Sequence, residues 1–90
     1  MANPVIVTCT ADTWVKVATN VTVGQVHKMT EAPIQYNHTY RDTGEAAPTL
    51  KSEGVQIFLN GENSIPIAAE AGIDVYIMAL EVDGKVRVDL

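Results

Sequence analysis

Apolar and polar residues alternate along most of the chain with a period of two, which is the spacing of residues on one face of a β-strand. The segment Ile34–Arg41 is the clearest case, because apolar or aromatic positions alternate there with polar ones. No stretch of helical length repeats apolar residues at the spacing of an α-helix. The alternation predicts about eight short strands: Val5–Thr10, Trp14–Thr19, Val23–Met29, Ile34–Arg41, Val55–Leu59, Ser64–Ala69, Ile73–Val82 and Lys85–Leu90.

The composition favours the same structure. Val, Ile and Thr form nearly a third of the chain, and their stiff side chains fit a pleated surface better than a helix. Gly, Pro, Asn or Asp residues bound the predicted strands, as turns require. We therefore expect residues 1–90 to form a single all-β domain, either a small β-sandwich or a β-barrel. Alternation does not separate these two architectures, because both bury one face of each strand.

The dipeptide Asp83-Gly84 predicts a two-residue hairpin turn between the last two strands. In that register the strand Ile73–Val82 places apolar side chains on both of its faces. One face belongs to the core, so the other needs a cover, which is either a second sheet of the same chain or another subunit. We expect a homo-oligomer, a dimer or a trimer, with the interface residues Tyr76, Met78, Leu80 and Val82.

A thirteen-residue segment, Asp42–Gly54, interrupts the strands with turn formers and small residues. Loops of this length in a small domain are usually mobile or functional. We expect this segment to be the most mobile part of the free protein and to contact a partner on assembly. The residues predicted to make that contact are Asp42, Thr43, Gly44, Glu45, Leu50 and Lys51.

Residues that carry catalysis are sparse. The sequence has no nucleophile motif, no phosphate-binding glycine loop and no zinc-type cysteine spacing. A metal site of His27, His38 and Glu31 is conceivable, but histidines packed in the core are the more common arrangement. Cys9, the single cysteine, is expected to be an unpaired and buried apolar residue. We expect no enzymatic activity, no cofactor and no bound metal.

The net charge of −5 arises mainly in the second half of the chain, and the six basic residues are scattered singly. Scattered cations form no stripe that follows phosphates, so direct nucleic-acid binding is not expected. The N-terminus lacks the basic and apolar regions of a signal peptide. The longest apolar run, Val75–Leu80, is too short to span a membrane. With a single cysteine, these features predict synthesis in a reducing cytoplasm and no membrane partner.

Several segments share a character of short Thr- and Val-rich strands with few charges: Thr13-Trp14-Val15-Lys16-Val17-Ala18-Thr19, Val21-Thr22-Val23-Gly24, Tyr40-Arg41-Asp42-Thr43-Gly44 with Ala47-Pro48, Asp74-Val75-Tyr76-Ile77, and Gly84-Lys85-Val86-Arg87-Val88-Asp89. With these segments as its features, the chain resembles, over most of its length, the small β-rich virion structural proteins of tailed bacteriophages. The resemblance implies a non-enzymatic, oligomeric protein, made in the bacterial cytoplasm and located in the virion. Its role would be head decoration (cement) or a neck, tail or fibre accessory, with other virion proteins as partners.

A receptor- or glycan-binding tip module is the alternative function. The stripe of Tyr36, His38 and Tyr40 would then face a ligand, although Ile34 on the same side favours a core position for the stripe. A cupin-like enzyme, a third possibility, needs more histidines than the two present.

Overall fold

The structure is a computed structural model that describes residues 4–30, 35–58 and 62–90. It confirms the predicted all-β class: within those ranges the only helical element is one 3-10 turn, Lys51–Glu53. Six strands replace the expected eight, and they form one curled antiparallel sheet in the order β1-β6-β2-β5-β3-β4, not the two sheets of a sandwich. The strands are β1 Val5–Cys9, β2 Val15–Lys28, β3 Tyr36–Asp42, β4 Val55–Ile57, β5 Ser64–Ala79 and β6 Gly84–Asp89.

Two long strands account for the lower strand number. β2 and β5 each join two predicted strands, and they pair with each other along most of their length. Where the sequence predicts that each strand ends, the strand pair instead continues with a bend, because its pairing shifts register three times between Lys16 and Val23. Asn20 lies within this irregular stretch and has a left-handed backbone, φ 51°. Extra residues in one strand increase the local twist and bend of a sheet, so the bulges allow the long pair to curl without ending.

The predicted hairpin at Asp83-Gly84 is wrong. β6 does not pair with β5; it lies between β1 and β2, with Val7 opposite Val86 and Val26 opposite Val88. The chain leaves β5 after Ala79 and crosses to β6 on the far side of β2. Consequently the first and last strands are neighbours, a pairing that no local turn signal encodes.

The core occupies one face of the curled sheet. Its centre is formed by the alternate residues of β5 and β6 that point inward, as the period-two pattern requires. Cys9 lies among them with no exposed surface, as expected, and burial raises the pKa of its thiol to about 11. The buried cluster comprises Cys9, Val17, Ala18, Val21, Val26, Tyr36, Ile57, Phe58, Ile67, Val75, Ile77, Ala79, Val86 and Val88.

No helix in the described part of the chain is both long and apolar enough to cross a membrane.

Candidate functional site

The four residues predicted to form an oligomer interface do not share an exposed face. Tyr76 and Met78 lie within β5 and are only 4% and 3% exposed in a single chain. Lys16 of β2 pairs opposite Tyr76, and its Nζ lies 5.8 Å from the ring centroid. Leu80 is half-buried just beyond β5, and Val82 is exposed in the connection to β6. The cover that Tyr76 and Met78 need is thus present within the chain.

The segment Asp42–Gly54 is anchored at its centre. Pro48 is buried, and the indole Nε1 of Trp14 donates a hydrogen bond of 3.0 Å to the carbonyl oxygen of Leu50. These contacts join the segment to the residue that precedes β2. These contacts anchor the centre of the segment, and its greater mobility in the free protein stays a prediction.

The carboxylate of Glu53 anchors the second half of the same segment through hydrogen bonds. Glu53 Oε2 accepts hydrogen bonds of 2.7 Å from the backbone N–H groups of both Thr49 and Leu50. Its Oε1 accepts a hydrogen bond of 2.8 Å from the guanidinium of Arg41 on β3. The two backbone donors, first Leu50 and then Thr49, are the main cause of a lowered pKa for Glu53. Glu53 therefore fixes the 3-10 turn against the end of β3.

The six predicted partner-contact residues are all exposed, but they form two separate groups. The first group makes a tight turn after β3, in which the N–H of Glu45 donates to the carbonyl of Asp42 at 3.0 Å. The second group belongs to the 3-10 turn, where Lys51 Nζ lies 3.5 Å from Asp12 Oδ1. The first consists of Asp42, Thr43, Gly44 and Glu45, and the second of Leu50 and Lys51.

Gly54→Ala tests whether the segment is packed. A Cβ on Gly54 would overlap the Trp14 ring atom Cη2, so the indole, which bonds to the Leu50 carbonyl, must shift. We expect a loss of about 1–3 kcal/mol in the free energy of unfolding. We also expect a red shift in fluorescence, which reports on Trp14 because it is the single tryptophan. Gly44→Ala is the control, because no atom lies within 4 Å of its added Cβ, although its φ of +99° adds backbone strain. An unchanged emission spectrum for Gly54→Ala would show that the indole is not held there.

Asp74 on β5 is the buried polar centre of the sheet bend. Its Oδ1 accepts hydrogen bonds from the backbone N–H of Asn20 at 3.0 Å and from the hydroxyl of Thr43 at 3.3 Å. Lys16 Nζ lies 3.4 Å from its Oδ2. The Asn20 N–H, followed by Lys16, holds the pKa of Asp74 below its ordinary value. This arrangement satisfies the bulged backbone of β2, and that structural role accounts for the burial of Asp74.

The two histidines lie on different strands and contact different partners. His27 Nε2 on β2 lies 2.9 Å from Asp89 Oδ2 on β6. His38 Nδ1 on β3 lies 3.2 Å from the Val55 carbonyl, and burial lowers the pKa of this imidazole. The third predicted metal ligand, Glu31, lies outside the described residues. Among the residues that are described, no three His, Cys, Asp or Glu side chains are placed to hold a metal ion.

An open strand edge distinguishes the molecule. In the described ranges β1 has β6 as its one neighbouring strand in the sheet. The chain just beyond β1 lies against β5, because Ala11 bridges Ala79 and the N–H of Asp12 donates to the Ala79 carbonyl at 2.7 Å. The edge is therefore open only along the first part of β1. The N–H of Met29 donates to the carbonyl of Lys85, so Lys85 and every second residue of β6 point their backbone groups toward β2. Val86 and Val88 therefore bond to Val7 and Val5 of β1. It follows that the backbone N–H and C=O groups of the intervening β1 residues, Ile6 and Thr8, point outward.

The opposite edge of the sheet is better protected. β4 is only three residues long, and Phe58, which follows it, has a left-handed φ of 59° that ends the strand. Only Gln56 directs its backbone groups outward, because its neighbours Val55 and Ile57 bond to β3. Short edge strands resist pairing with other chains, so β1 is the edge more open to a partner.

The side chains of strand β1 include none of the residues that usually protect an edge, although β5 covers the chain at its C-terminal end. Its sequence, Val-Ile-Val-Thr-Cys, holds no charge, no proline and no glycine. Val5 and Ile6 are 54% and 57% exposed. β1 lies outside the predicted site residues; its lack of charge was visible in the sequence, but its edge position depends on the pairing with β6.

No protein-family model matches the chain, and comparison with curated proteins and with solved structures found no significant match.

Proposed function

We propose that the chain is a non-enzymatic structural subunit of a tailed-phage virion, acting in head decoration or as a tail or neck accessory. In that role it is a rigid building block that binds other virion proteins and copies of itself. The proposal combines the resemblance of its Thr- and Val-rich segments with one structural observation, the open edge of β1.

The open edge supports an assembly role on energetic grounds. A soluble sheet that leaves an uncharged strand edge uncovered tends to pair with other chains. The exposed Val5 and Ile6 side chains add apolar surface to the unpaired backbone groups beside them. In a protein built for assembly, the same features supply the contact that joins it to a neighbour.

Particle binding tests the proposed function. The purified protein is incubated with expanded heads and, separately, with tails of tailed phages of bacteria, and bound protein is separated by sedimentation. We expect saturable binding to one of these particles. The number of bound chains per particle should match the number of copies of a symmetry-related site on it. Expanded and unexpanded heads serve as matched controls for a decoration protein. Absence of binding to heads and tails alike would contradict the proposal.

A glycan- or receptor-binding tip module is the second candidate, and Tyr40 is the observation that favours it. The residue is 39% exposed, and its ring packs edge-on against His38, with 4.9 Å between the ring centroids. Exposed aromatic faces bind sugar rings. A glycan array with clear hits that are lost in Tyr40→Ala would favour this function over particle assembly.

A further inference from the structure

We propose that residues 43–53 form a strap that opens as a unit while the sheet stays folded, and that the carboxylate of Glu53 is the latch that keeps it closed. The closed strap crosses the face of β5 that carries Tyr76 and Met78, so its opening exposes these two side chains. Acid opens the strap, because the latch accepts its hydrogen bonds as a carboxylate.

Tyr76 and Met78 lie on the face of β5 that points away from the main core. Their neighbours Val75, Ile77 and Ala79 belong to the buried core cluster, and successive residues of a strand point to opposite faces. Tyr76 and Met78 are nevertheless almost fully buried. Another part of the same chain therefore covers this second face.

The first end of the strap lies on that face. Asp74 is two residues before Tyr76 and so points to the same side, and its Oδ1 accepts the hydrogen bond of 3.3 Å from the Thr43 hydroxyl. The backbone N–H of Thr43 donates to the carbonyl of Gly72 at 3.4 Å. Both acceptors belong to β5, so the strap begins directly beside the covered side chains.

The second end of the strap reaches the same face through Trp14. Val15 packs against the core, so alternation directs the preceding Trp14 side chain to the opposite face. The β2–β5 register, continued by one residue, places Trp14 opposite Met78. The indole Nε1 donates to the carbonyl of Leu50 at 3.0 Å. The strap therefore runs from one side of the covered face to the other.

The closed strap is held mainly by side-chain hydrogen bonds. None of its residues belongs to a strand, and Pro48 is its one buried residue, since all the others are exposed. A segment with little buried apolar surface and exposed hydrogen bonds opens at a lower cost in free energy than the strands of a core. The strap is thus able to open without unfolding of the sheet.

Glu53 is the residue on which the bonds of the second end converge. Its Oε2 accepts from the backbone N–H groups of Leu50 and Thr49, and its Oε1 accepts from the Arg41 guanidinium. Protonation removes the charge and converts one oxygen to a hydroxyl, which weakens these bonds. They hold the pKa of Glu53 below its ordinary value of 4.5. The strap is therefore closed above pH 4.5 and opens as the pH falls through the lower value of the closed form.

The other charged groups around the strap do not act on it alone. Lys51 Nζ lies 3.5 Å from Asp12 Oδ1, but both side chains are at least half exposed, and exposed ion pairs contribute little. Asp74 lies opposite Arg41 and beside Lys16, and it also holds the bulged backbone of β2. Protonation of Asp74 therefore affects the sheet as well as the strap, whereas protonation of Glu53 acts on the strap.

Glu53→Gln tests the latch at neutral pH, because glutamine keeps the shape of the side chain without its charge. In hydrogen exchange followed by NMR, the amides of Thr49 and Leu50 should exchange at least about tenfold faster than in the wild type, since they lose bonds to a charged acceptor. The amides of β6 should keep their protection. Glu45→Gln is the matched control, because it removes the same charge from another exposed residue of the strap.

An acid titration gives a second readout that needs no variant. As the pH falls below 4.5, the Trp14 emission of the wild type should shift to the red, and the fluorescence of a dye that binds apolar surfaces should rise. Both changes should occur at pH values where the circular dichroism of the sheet is unchanged. Glu45→Gln should behave like the wild type, whereas Glu53→Gln should show both signals already at neutral pH.

Three results would overturn the strap and its latch. One is equal exchange of the Thr49 and Leu50 amides in the wild type and Glu53→Gln. Another is exchange of these amides at the rate of the β6 amides in every variant, since the strap would then open only with the sheet. The third, which holds even if Glu53→Gln fails to fold, is a wild-type emission change that coincides with the loss of circular dichroism. No phage particle enters these measurements, so they leave the proposed function untouched.

Discussion

Tyr36→Ala should leave much of the protein unfolded under conditions in which the wild type is folded. Tyr36 has no exposed surface, packs edge-on against Phe58 with 5.3 Å between ring centroids, and donates or accepts a hydrogen bond of 2.9 Å with the Thr30 hydroxyl. Removing a large buried ring costs about 3–5 kcal/mol. A domain of this length has a total stability of roughly 5–13 kcal/mol, so the loss is a large part of the whole.

Tyr36→Phe separates the ring from its hydroxyl. Phenylalanine keeps the packing against Phe58 and loses only the contact with Thr30, whose oxygen still accepts from the backbone N–H of Lys85 at 3.3 Å. We expect a loss of about 1 kcal/mol. Urea unfolding followed by circular dichroism measures both variants. Equal losses in the two would mean that the hydroxyl, and not the ring, dominates at this site.

Asp74→Ala should produce the second large effect, a fall in melting temperature of about 10 °C or more. The substitution leaves the Asn20 N–H at the β2 bulge, the Thr43 hydroxyl and the Lys16 ammonium without their shared acceptor. Asp74→Asn keeps an oxygen for the Asn20 N–H but removes the charge, so its melting temperature should lie between those of the wild type and Asp74→Ala. If Asp74→Ala melts like the wild type, the bulge does not depend on this carboxylate.

The pH dependence of stability gives an independent check on Asp74. Because the pKa of Asp74 in the folded protein lies below its ordinary value of 3.8, the unfolded chain binds this proton more readily. Its contribution is present above pH 3.8 and is lost as the pH falls through the lower folded value. Glu53 has a pKa shift of the same sign. The stability of Asp74→Ala should therefore fall less steeply with decreasing pH than that of the wild type. The remaining pH dependence should include the contribution of Glu53.

Local patterns in the sequence were sufficient for the class and the approximate strand positions. The predicted strands Val5–Thr10 and Lys85–Leu90 match β1 and β6 within one residue at each end, because alternation reports directly which face is buried. Glycine and asparagine were weaker guides. Asn20 and Gly72 marked breaks in the sequence, but the structure uses them to bend a long strand pair, and Asp74 supplies the acceptor that holds Asn20 in place.

Strand pairing could not be derived in the same way. The tight-turn signal of Asp83-Gly84 competes with pairing between residues 75 to 83 positions apart, and period-two alternation is the same in either arrangement. In the structure Glu81 takes a left-handed φ of 75°, and the Asp83 carboxylate accepts a hydrogen bond of 2.7 Å from the N–H of Ala11. This backbone turn and this hydrogen bond hold the connection that leads from β5 to β6. The β1 edge could therefore not be identified before the pairing was known.

The placement of β6 between β1 and β2 also sets the order in which the fold is completed during synthesis. β1 is synthesised before the other five strands, but its neighbour in the sheet, β6, is synthesised after them. Until Gly84–Asp89 has emerged, β1 lacks that neighbour and β2 lacks a partner opposite Gln25–Lys28. Pairings that are this distant in sequence close slowly. The pairing of β6 with β1 and β2 can therefore form only after residues 84–89 have left the ribosome.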